Sequence, residues 1–198
     1  MFLSLFFTCV ASGLIVTGSN LYTATPIAES KKAAVADAIR RVTPEFDNNP
    51  VDEVYFAATS DGDSLRIYPA KKAGAFVGCA VESSTKKGFS GEIKIMVGFD
   101  VKGVLINYSV LSHAETPGLG SKMESWFRTD KKNQSVIGRS LASGGFSVFK
   151  DGGDVDAITA ATISSRAFLD AVNRAYSAYA QTDSSSGASP QKEDDNEK

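Results

Sequence analysis

The spacing of apolar and polar residues divides the chain into four segments. Residues 1–28 carry no charged side chain, and a helix of that length, at about 1.5 Å per residue, can cross a hydrocarbon core of about 30 Å. We therefore expect a transmembrane anchor over 1–28, followed by a helical stalk over 29–43 with Val35, Ile39 and Val42 on one side. A globular domain is predicted over 44–181. The Ser-rich and then acidic tail over 182–198 is predicted to be disordered.

The globular segment has strand patterns in its middle and helical patterns towards its C-terminal end. The predicted elements are strands over 54–57, 65–68, 75–81 and 146–149, a hairpin that joins 92–99 to 104–111, and a helix over 122–132. In the first arm of the hairpin, every second residue from Ile93 to Phe99 is apolar, which predicts one buried face. This order of elements predicts an α+β fold, with an antiparallel sheet and flanking helices.

The domain ends in an amphipathic helix, in which Phe168, Val172, Ala175 and Tyr179 recur at helical spacing. Hydroxyl side chains from 159 to 165 lie near its start. The first N–H groups of a helix have no intrahelical partner and carry the positive end of the dipole, which favours a phosphate at this place. Capping of the helix by a threonine is the more frequent use of such residues, so the spacing alone leaves both interpretations open.

Composition narrows the classes of function. At 198 residues, with 42% hydrophobic and 22% charged residues, the chain can hold one globular domain plus appendages. A net charge of −2 provides no basic surface for nucleic acid. Cys9 lies in the apolar N-terminus and Cys79 in a predicted strand, so neither a disulfide nor a cysteine-based metal site is expected.

The segment 156–164, Asp-Ala-Ile-Thr-Ala-Ala-Thr-Ile-Ser, resembles the Asp-x-x-(Ser/Thr)-Gly-Ala-Thr-x-(Ser/Thr) motif of the FMN-binding domain family, found in the RnfG and NqrC subunits of membrane redox complexes. The resemblance implies that FMN is attached to Thr162 through a phosphoester and that a separate flavin transferase of the ApbE type installs it from FAD. It also implies a set of residues around the phosphate, namely Asp156, Thr159, Ser164 and Ser165. Ala160 stands where the family pattern has glycine, so a left-handed backbone there would be unfavourable for its methyl group.

A second segment, 112–120, reads Ser-His-Ala-Glu-Thr-Pro-Gly-Leu-Gly and looks like the flavin-lining segment of the same family. The resemblance implies ring contacts from this segment, which includes His113, Glu115, Thr116, Gly118, Leu119 and Gly120. Physically, the glycines would let the backbone lie close to a flat ring, and the polar side chains could hydrogen-bond its edge. The alternative is an ordinary Pro-Gly turn with His113 exposed in a loop.

Taken together, the resemblance implies an RnfG-like electron-transfer subunit with covalent FMN in an ion-translocating ferredoxin:NAD oxidoreductase (Rnf) complex. Its partners would be the other membrane subunits, and the chain alone would catalyse no reaction. Two alternatives remain: an NqrC-like subunit of a sodium-translocating NADH:quinone oxidoreductase, or a membrane-anchored interaction domain without flavin, in which Thr162 is only a cap.

The resemblance places the domain on the extracytoplasmic side of a bacterial inner membrane, as a single-pass protein. The charges beside the anchor favour the opposite orientation, because Lys31, Lys32, Arg40 and Arg41 all follow it. Our hypothesis is that a short basic segment precedes Met1 in the natural chain. An upstream genomic sequence with an immediate stop codon and no in-frame Lys or Arg would contradict it.

Overall fold

The computed structural model describes residues 2–59, 61–142 and 144–185. It consists of α1 (Phe2–Val42), five strands β1 (Tyr55–Ala58), β2 (Ser64–Lys72), β3 (Ala75–Thr85), β4 (Ile93–Asp100) and β5 (Leu105–Ser112), a short α2 (Met123–Trp126) and α3 (Thr162–Ser185), with 3-10 turns at Gly120–Lys122 and Phe149–Asp151. The chain divides into two compact units, one ending at Asp37 and one beginning at Ala38. The α+β prediction is confirmed for the second unit.

The first unit is the N-terminal part of α1, which runs unbroken across the predicted boundary between anchor and stalk. Among the residues that the structure describes, no helix is both long and apolar enough to span a membrane. The side chains of residues 16 and 18–28, which form much of the predicted anchor, are not among those that the structure describes. Most of the predicted tail likewise lies outside the described residues, and its first part, up to Ser185, belongs to α3.

The five strands form an antiparallel meander in the order β1-β2-β3-β4-β5. The predicted hairpin is confirmed: β4 pairs with β5, with Val97 opposite Tyr108. β2 and β3 are longer than the sequence predicted, and they are joined by a tight turn at Ala73 and Gly74, both with positive φ. Two left-handed residues suit a two-residue hairpin loop because their twist matches that of the strands.

α3 covers one face of this sheet, as its amphipathic pattern predicts. Ile95, Val97 and Phe99 of β4 are fully buried in the same cluster as the apolar face of α3. Phe168 of α3 stacks on Phe127 with ring centroids 4.5 Å apart and meets the Tyr108 ring edge-on at 4.8 Å. Such aromatic pairs add to the area they bury, so the first half of α3 is held firmly on the sheet.

The opposite face of the sheet is also covered, so the prediction of a single buried face in β4 was incomplete. Met96 is fully buried outside the main cluster. Gly98 lies directly against the last turn of α1, where an added Cβ would overlap the carbonyl oxygen of Val42. Ile39 and Val42 are buried as well. The compact unit therefore begins at Ala38, a little before the predicted domain start at residue 44.

Two predicted elements were wrong. The helix predicted over 122–132 is reduced to one 3-10 turn and the four residues of α2, after which the chain turns repeatedly. The strand predicted over 146–149 is only an isolated bridge between Val148 and Val155, followed by the 3-10 turn Phe149–Asp151 and by Gly152 with φ 82°. Glycine takes this left-handed conformation without strain, so the chain reverses there instead of extending a strand.

Candidate functional site

The two segments singled out in the sequence meet at one cleft. The start of α3 and the loop after β5 enclose a space of about 150 Å³. Its lining consists of Phe89, Glu115, Thr116, Leu119, Gly120, Ala160, Ala161, Thr162, Ile163 and Ser164. These residues come from three parts of the chain that are far apart in sequence, so the cleft exists only in the folded domain.

The loop before α3 presents Thr162 at the rim of this cleft. Ala160 has φ 62°, a left-handed conformation, and the amide of Ala161 donates to the carbonyl of Ile158 at 3.0 Å. The first bond of the helical pattern runs from the amide of Ser165 to the carbonyl of Ala161. The amides of the three preceding residues, beginning with Thr162, therefore have no intrahelical acceptor and add the positive end of the dipole.

Thr162 itself is half-buried. Within 2–59, 61–142 and 144–185, its hydroxyl has no hydrogen-bonding partner. A threonine that caps its own helix would use this oxygen to accept a bond from an amide of the first turn. The capping interpretation of Thr162 therefore finds no support in the structure, and its oxygen is available to an external group.

Ser164 and Ser165 are engaged in the fold. The Ser165 hydroxyl is fully buried, accepts a hydrogen bond from the Ile158 amide and donates one to the Ala161 carbonyl, both at 2.9 Å. The Ser164 hydroxyl donates to Glu115 at 2.5 Å. Thr159 is exposed in the turn before the helix. These serines therefore shape the loop, and any contact of their side chains with a phosphate stays a prediction.

Asp156, which opens the motif, lies outside the cleft lining. Its amide donates to the carbonyl of Asn133 at 2.9 Å, and its carboxylate accepts the Asn133 amide at 3.3 Å. The indole N–H of Trp126 donates to the Asp156 carbonyl at 2.8 Å. Asp156 thus holds the start of the loop against α2 and the segment that follows it.

Glu115 forms the inner wall of the cleft. Its side chain is buried, and its two carboxylate oxygens accept from the Ser164 hydroxyl and from the Ser90 amide, the latter at 3.1 Å. A Cβ added at Gly88 would lie 2.7 Å from one carboxylate oxygen, and one at Gly120 would lie 2.6 Å from the other. The carboxylate therefore links the 88–91 loop, the 113–120 loop and α3. Gly88 and Gly120 leave room for its oxygens, which any larger residue at these two positions would overlap.

The remaining residues of the predicted flavin-lining segment divide into two groups. The Nδ1 atom of His113 accepts the Glu115 amide at 3.1 Å, so in the neutral ring Nε2 carries the hydrogen and points at Glu124, 3.4 Å away. His113 is not part of the cleft lining. Thr116, Leu119 and Gly120 line the cleft, and Gly118, with φ 76°, makes the turn between them.

Two apolar residues at the cleft were missed by the sequence analysis. Phe89 is 66% exposed and Ile163 is 48% exposed, and both line the cleft. Exposure of large apolar side chains beside a concave site is typical of a surface that another group covers. The signal in the sequence was an aromatic residue between glycines, in Gly88-Phe89-Ser90-Gly91, where no core position was predicted.

The donor set fits a flavin phosphate better than a metal ion. The cleft joins a free hydroxyl and unpaired amides, which suit a phosphate ester, to apolar walls, which suit a flat ring. At about 150 Å³ it is smaller than the roughly 300–1,000 Å³ of clefts that enclose a ligand of this size, so part of the ring would remain exposed. In the part of the chain that is described, no group of three His, Cys, Asp or Glu side chains could hold a metal ion.

Comparison with known proteins agrees with this geometry. Residues 88–177 match the model of a family described as FMN-binding domain. The chain is 35% identical over 176 residues to the G subunit of the ion-translocating oxidoreductase complex of Photorhabdus laumondii, an alignment that covers 85% of this chain and 83% of the relative. The corresponding proteins of Aliivibrio fischeri and Cereibacter sphaeroides are 33% and 31% identical, covering 84% and 83% of this chain and 82% and 76% of the relatives.

Proposed function

Because this chain belongs to the RnfG family of ion-translocating oxidoreductase complexes and contains an FMN-binding domain, we propose that it is the flavin-carrying electron-transfer subunit of an Rnf complex. One observation carries the proposal: Thr162 and the Glu115–Gly120 loop, 42 or more residues apart in sequence, line the same cleft. When bound, FMN supplies the capacity to accept and donate electrons one or two at a time, which suits a relay. The residues of this chain bind and orient the cofactor.

The FMN is attached covalently to Thr162. In the attachment, the Thr162 oxygen forms a bond to the phosphorus of the FMN half of FAD, the pyrophosphate bond breaks, AMP leaves, and the hydroxyl proton passes to a base of the transferase. The hydroxyl makes no hydrogen bond to another described residue of this chain. A base must therefore come from another protein, which supports a separate ApbE-type transferase.

The free amides of the first turn of α3 would hold the phosphate, and the cleft walls would hold the ring. Thr116, Leu119 and Gly120 line the cleft from one loop and would contact the ring, with Phe89 and Ile163 as apolar neighbours. The role of Glu115 is structural, because both of its carboxylate oxygens already accept hydrogen bonds inside the domain. We therefore assign it to the frame of the cleft.

The anchor and the location complete the proposal. Residues 1–28 carry no charge, and we place them in the bacterial inner membrane with the domain on the extracytoplasmic side, beside the other Rnf subunits. Covalent attachment is useful there, because a cofactor that dissociated outside the cytoplasm would be lost. Alkaline phosphatase fused after Ser185 should be active, because this enzyme is active only outside the cytoplasm. Green fluorescent protein fused at the same place should not fluoresce. An inactive phosphatase together with fluorescence of the second fusion would contradict this orientation.

The attachment is tested by intact mass and by in-gel flavin fluorescence under denaturing conditions. The full chain and Thr162→Ala are each coexpressed with an ApbE-type transferase. We expect a mass gain of FMN less one water in the wild type and none in Thr162→Ala. The matched control is Thr129→Ala, a threonine outside the motif and outside the cleft lining, which should gain the same mass as the wild type.

Two outcomes would contradict the proposal. A mass gain that persists in Thr162→Ala would place the attachment on another residue. A wild-type chain without any gain, while a known substrate of the same transferase is loaded in parallel, would exclude covalent attachment and favour the interaction domain without flavin.

A further inference from the structure

A second, larger cleft lies beside the first and shares Ile163 with it. It has a volume of about 420 Å³ and runs along α3 between Lys87 and the 146–151 segment. Two ion pairs stand in its walls: Arg166 with Asp151, and Lys87 with Asp170. None of these four charged residues lines the smaller cleft.

Arg166 is placed to reach a group on the Thr162 oxygen. It follows Thr162 by four residues on α3, so the two side chains are neighbours on the helix surface, with Cβ atoms about 5–6 Å apart. Long side chains of a helix lean towards its N-terminus, so the side chain of Arg166 can reach the turn that contains Thr162.

The guanidinium of Arg166 already forms a two-pronged contact with a carboxylate. Its Nε and Nη2 atoms donate to the two oxygens of Asp151 at 2.7 and 2.6 Å, and both side chains are about half exposed. The hydrogen bond from Arg166 lowers the pKa of Asp151, so both partners are charged at neutral pH. This planar fork also matches the oxygens of a phosphate, which a carboxylate resembles in geometry and charge.

A phosphate ester on Thr162 would change the charge balance around this helix turn. It adds negative charge close to the buried carboxylate of Glu115, which lines the same cleft as Thr162. Lys87 is less suited to balance it, because its ammonium group pairs with Asp170 at 2.7 Å, further along the helix, and that carboxylate also accepts from Thr85. Arg166 is the cation one turn away on the same helix.

We propose that Arg166 binds the phosphate ester formed on Thr162 and exchanges Asp151 for it, so that Asp151 is the partner of Arg166 only in the unmodified chain. This inference rests on the proposed attachment at Thr162. Asp151 then holds the arginine ready in an ordered position, and the exchange leaves the guanidinium paired in both states.

The test uses phosphothreonine, which carries the phosphate without the flavin. Phosphothreonine is incorporated at position 162 of the full chain by amber suppression, and the second ionisation of its phosphate is followed by phosphorus NMR. A nearby guanidinium favours the doubly charged form, so we expect its midpoint to rise by about 0.5–1 pH unit in Arg166→Gln. In Asp151→Asn the arginine has no competing carboxylate, and the midpoint should fall below that of the wild type.

Two controls separate a direct contact from a general charge effect. Lys87→Gln removes the same charge from the other side of the larger cleft and should move the midpoint by less than about 0.2 pH unit, as expected for a screened charge. Arg166→Lys keeps the charge without the fork and should fall between wild type and Arg166→Gln. An equal midpoint in wild type and Arg166→Gln would overturn the proposal, as would equal shifts in Arg166→Gln and Lys87→Gln.

Flavin loading gives a second readout that fails independently. In coexpression with the transferase, Arg166→Gln should lower the loaded fraction or its initial rate about threefold to tenfold, whereas Lys87→Gln should not. The expected titration difference between wild type and Arg166→Gln, together with no flavin adduct in any chain, would refute the proposed attachment of FMN but leave the phosphate contact of Arg166 standing. Normal flavin loading with an unchanged titration would refute only the role of Arg166.

Discussion

Replacing Ala160 with glycine should stabilise the domain, which is the reverse of the usual effect of such a change. Ala160 has φ 62°, and a side chain in this left-handed region costs about 1–2 kcal/mol. Glycine removes that strain but increases the freedom of the unfolded chain, which costs about 0.4–1 kcal/mol. Because Ala160 is exposed, no packing is lost. The net expectation is a gain between about 0 and 1.5 kcal/mol.

Thermal unfolding of the full chain in detergent measures this gain. Trp126, the single tryptophan, is a suitable fluorescent reporter, because its indole is bonded to Asp156 at the start of the same loop. At about 2–4 °C per kcal/mol for a domain of this size, the midpoint should rise by up to about 6 °C.

Two alanines provide matched controls for this change. Ala73 also has a positive φ, 51°, and is exposed, so Ala73→Gly should be neutral or stabilising for the same reason. Ala142 is exposed and is not among the residues with positive φ, so Ala142→Gly should destabilise by about 0.4–1 kcal/mol. A loss in Ala160→Gly as large as that in Ala142→Gly would refute the conformational explanation.

Three further predictions concern other contacts of the domain. Gly98→Ala should destabilise the domain by more than about 3 kcal/mol in urea unfolding, because the new Cβ overlaps the Val42 backbone. A stability near that of the wild type would show that the last turn of α1 moves away easily. Glu115→Ala should cost about 2–4 kcal/mol, since it leaves the buried Ser164 hydroxyl and the Ser90 amide without their acceptor, and Glu115→Gln should cost less; equal losses would contradict the hydrogen-bond explanation. Arg166 lowers the pKa of Asp151 below its ordinary 3.8, so this pair contributes stability above that pH and loses it as the pH falls through the lowered value. The difference in Tm between wild type and Asp151→Asn should therefore shrink as the pH falls below 3.8, and a difference that is constant from pH 7 to pH 2 would exclude the ion pair as its source.

Elements with a strong local period were predictable from the sequence. α3 and the β4–β5 hairpin appear where the spacing of apolar residues placed them, because a sustained apolar period of about 3.6 residues fits a helix and one of about 2 fits a strand. The predicted helix over 122–132 and strand over 146–149 failed because their patterns are short and glycine turns interrupt the chain nearby. In such segments tertiary contacts outweigh local preference.

The two main segments of the candidate site could be predicted from the sequence, but not the roles of their residues. The motif residues around Thr162 and the 112–120 segment were named from the sequence, and the fold brings both to one cleft. The sequence could not show that Ser164 and Ser165 use their hydroxyls within the fold, or that Asp156 and His113 lie outside the cleft lining. Those roles depend on partners that are distant in sequence.

What the sequence determined by itself is local: the amphipathic helix, the hairpin, the hydroxyl-rich loop, and the family to which that loop points. What only the tertiary structure decided is which groups face each other. The Glu115 carboxylate accepts hydrogen bonds from Ser164 and Ser90, which are 49 and 25 residues away in sequence. Phe89 lines the cleft, and Arg166 pairs with Asp151. The physical reason is that hydrogen bonds and ion pairs act over a few ångströms in space, whereas a sequence pattern records only neighbours along the chain.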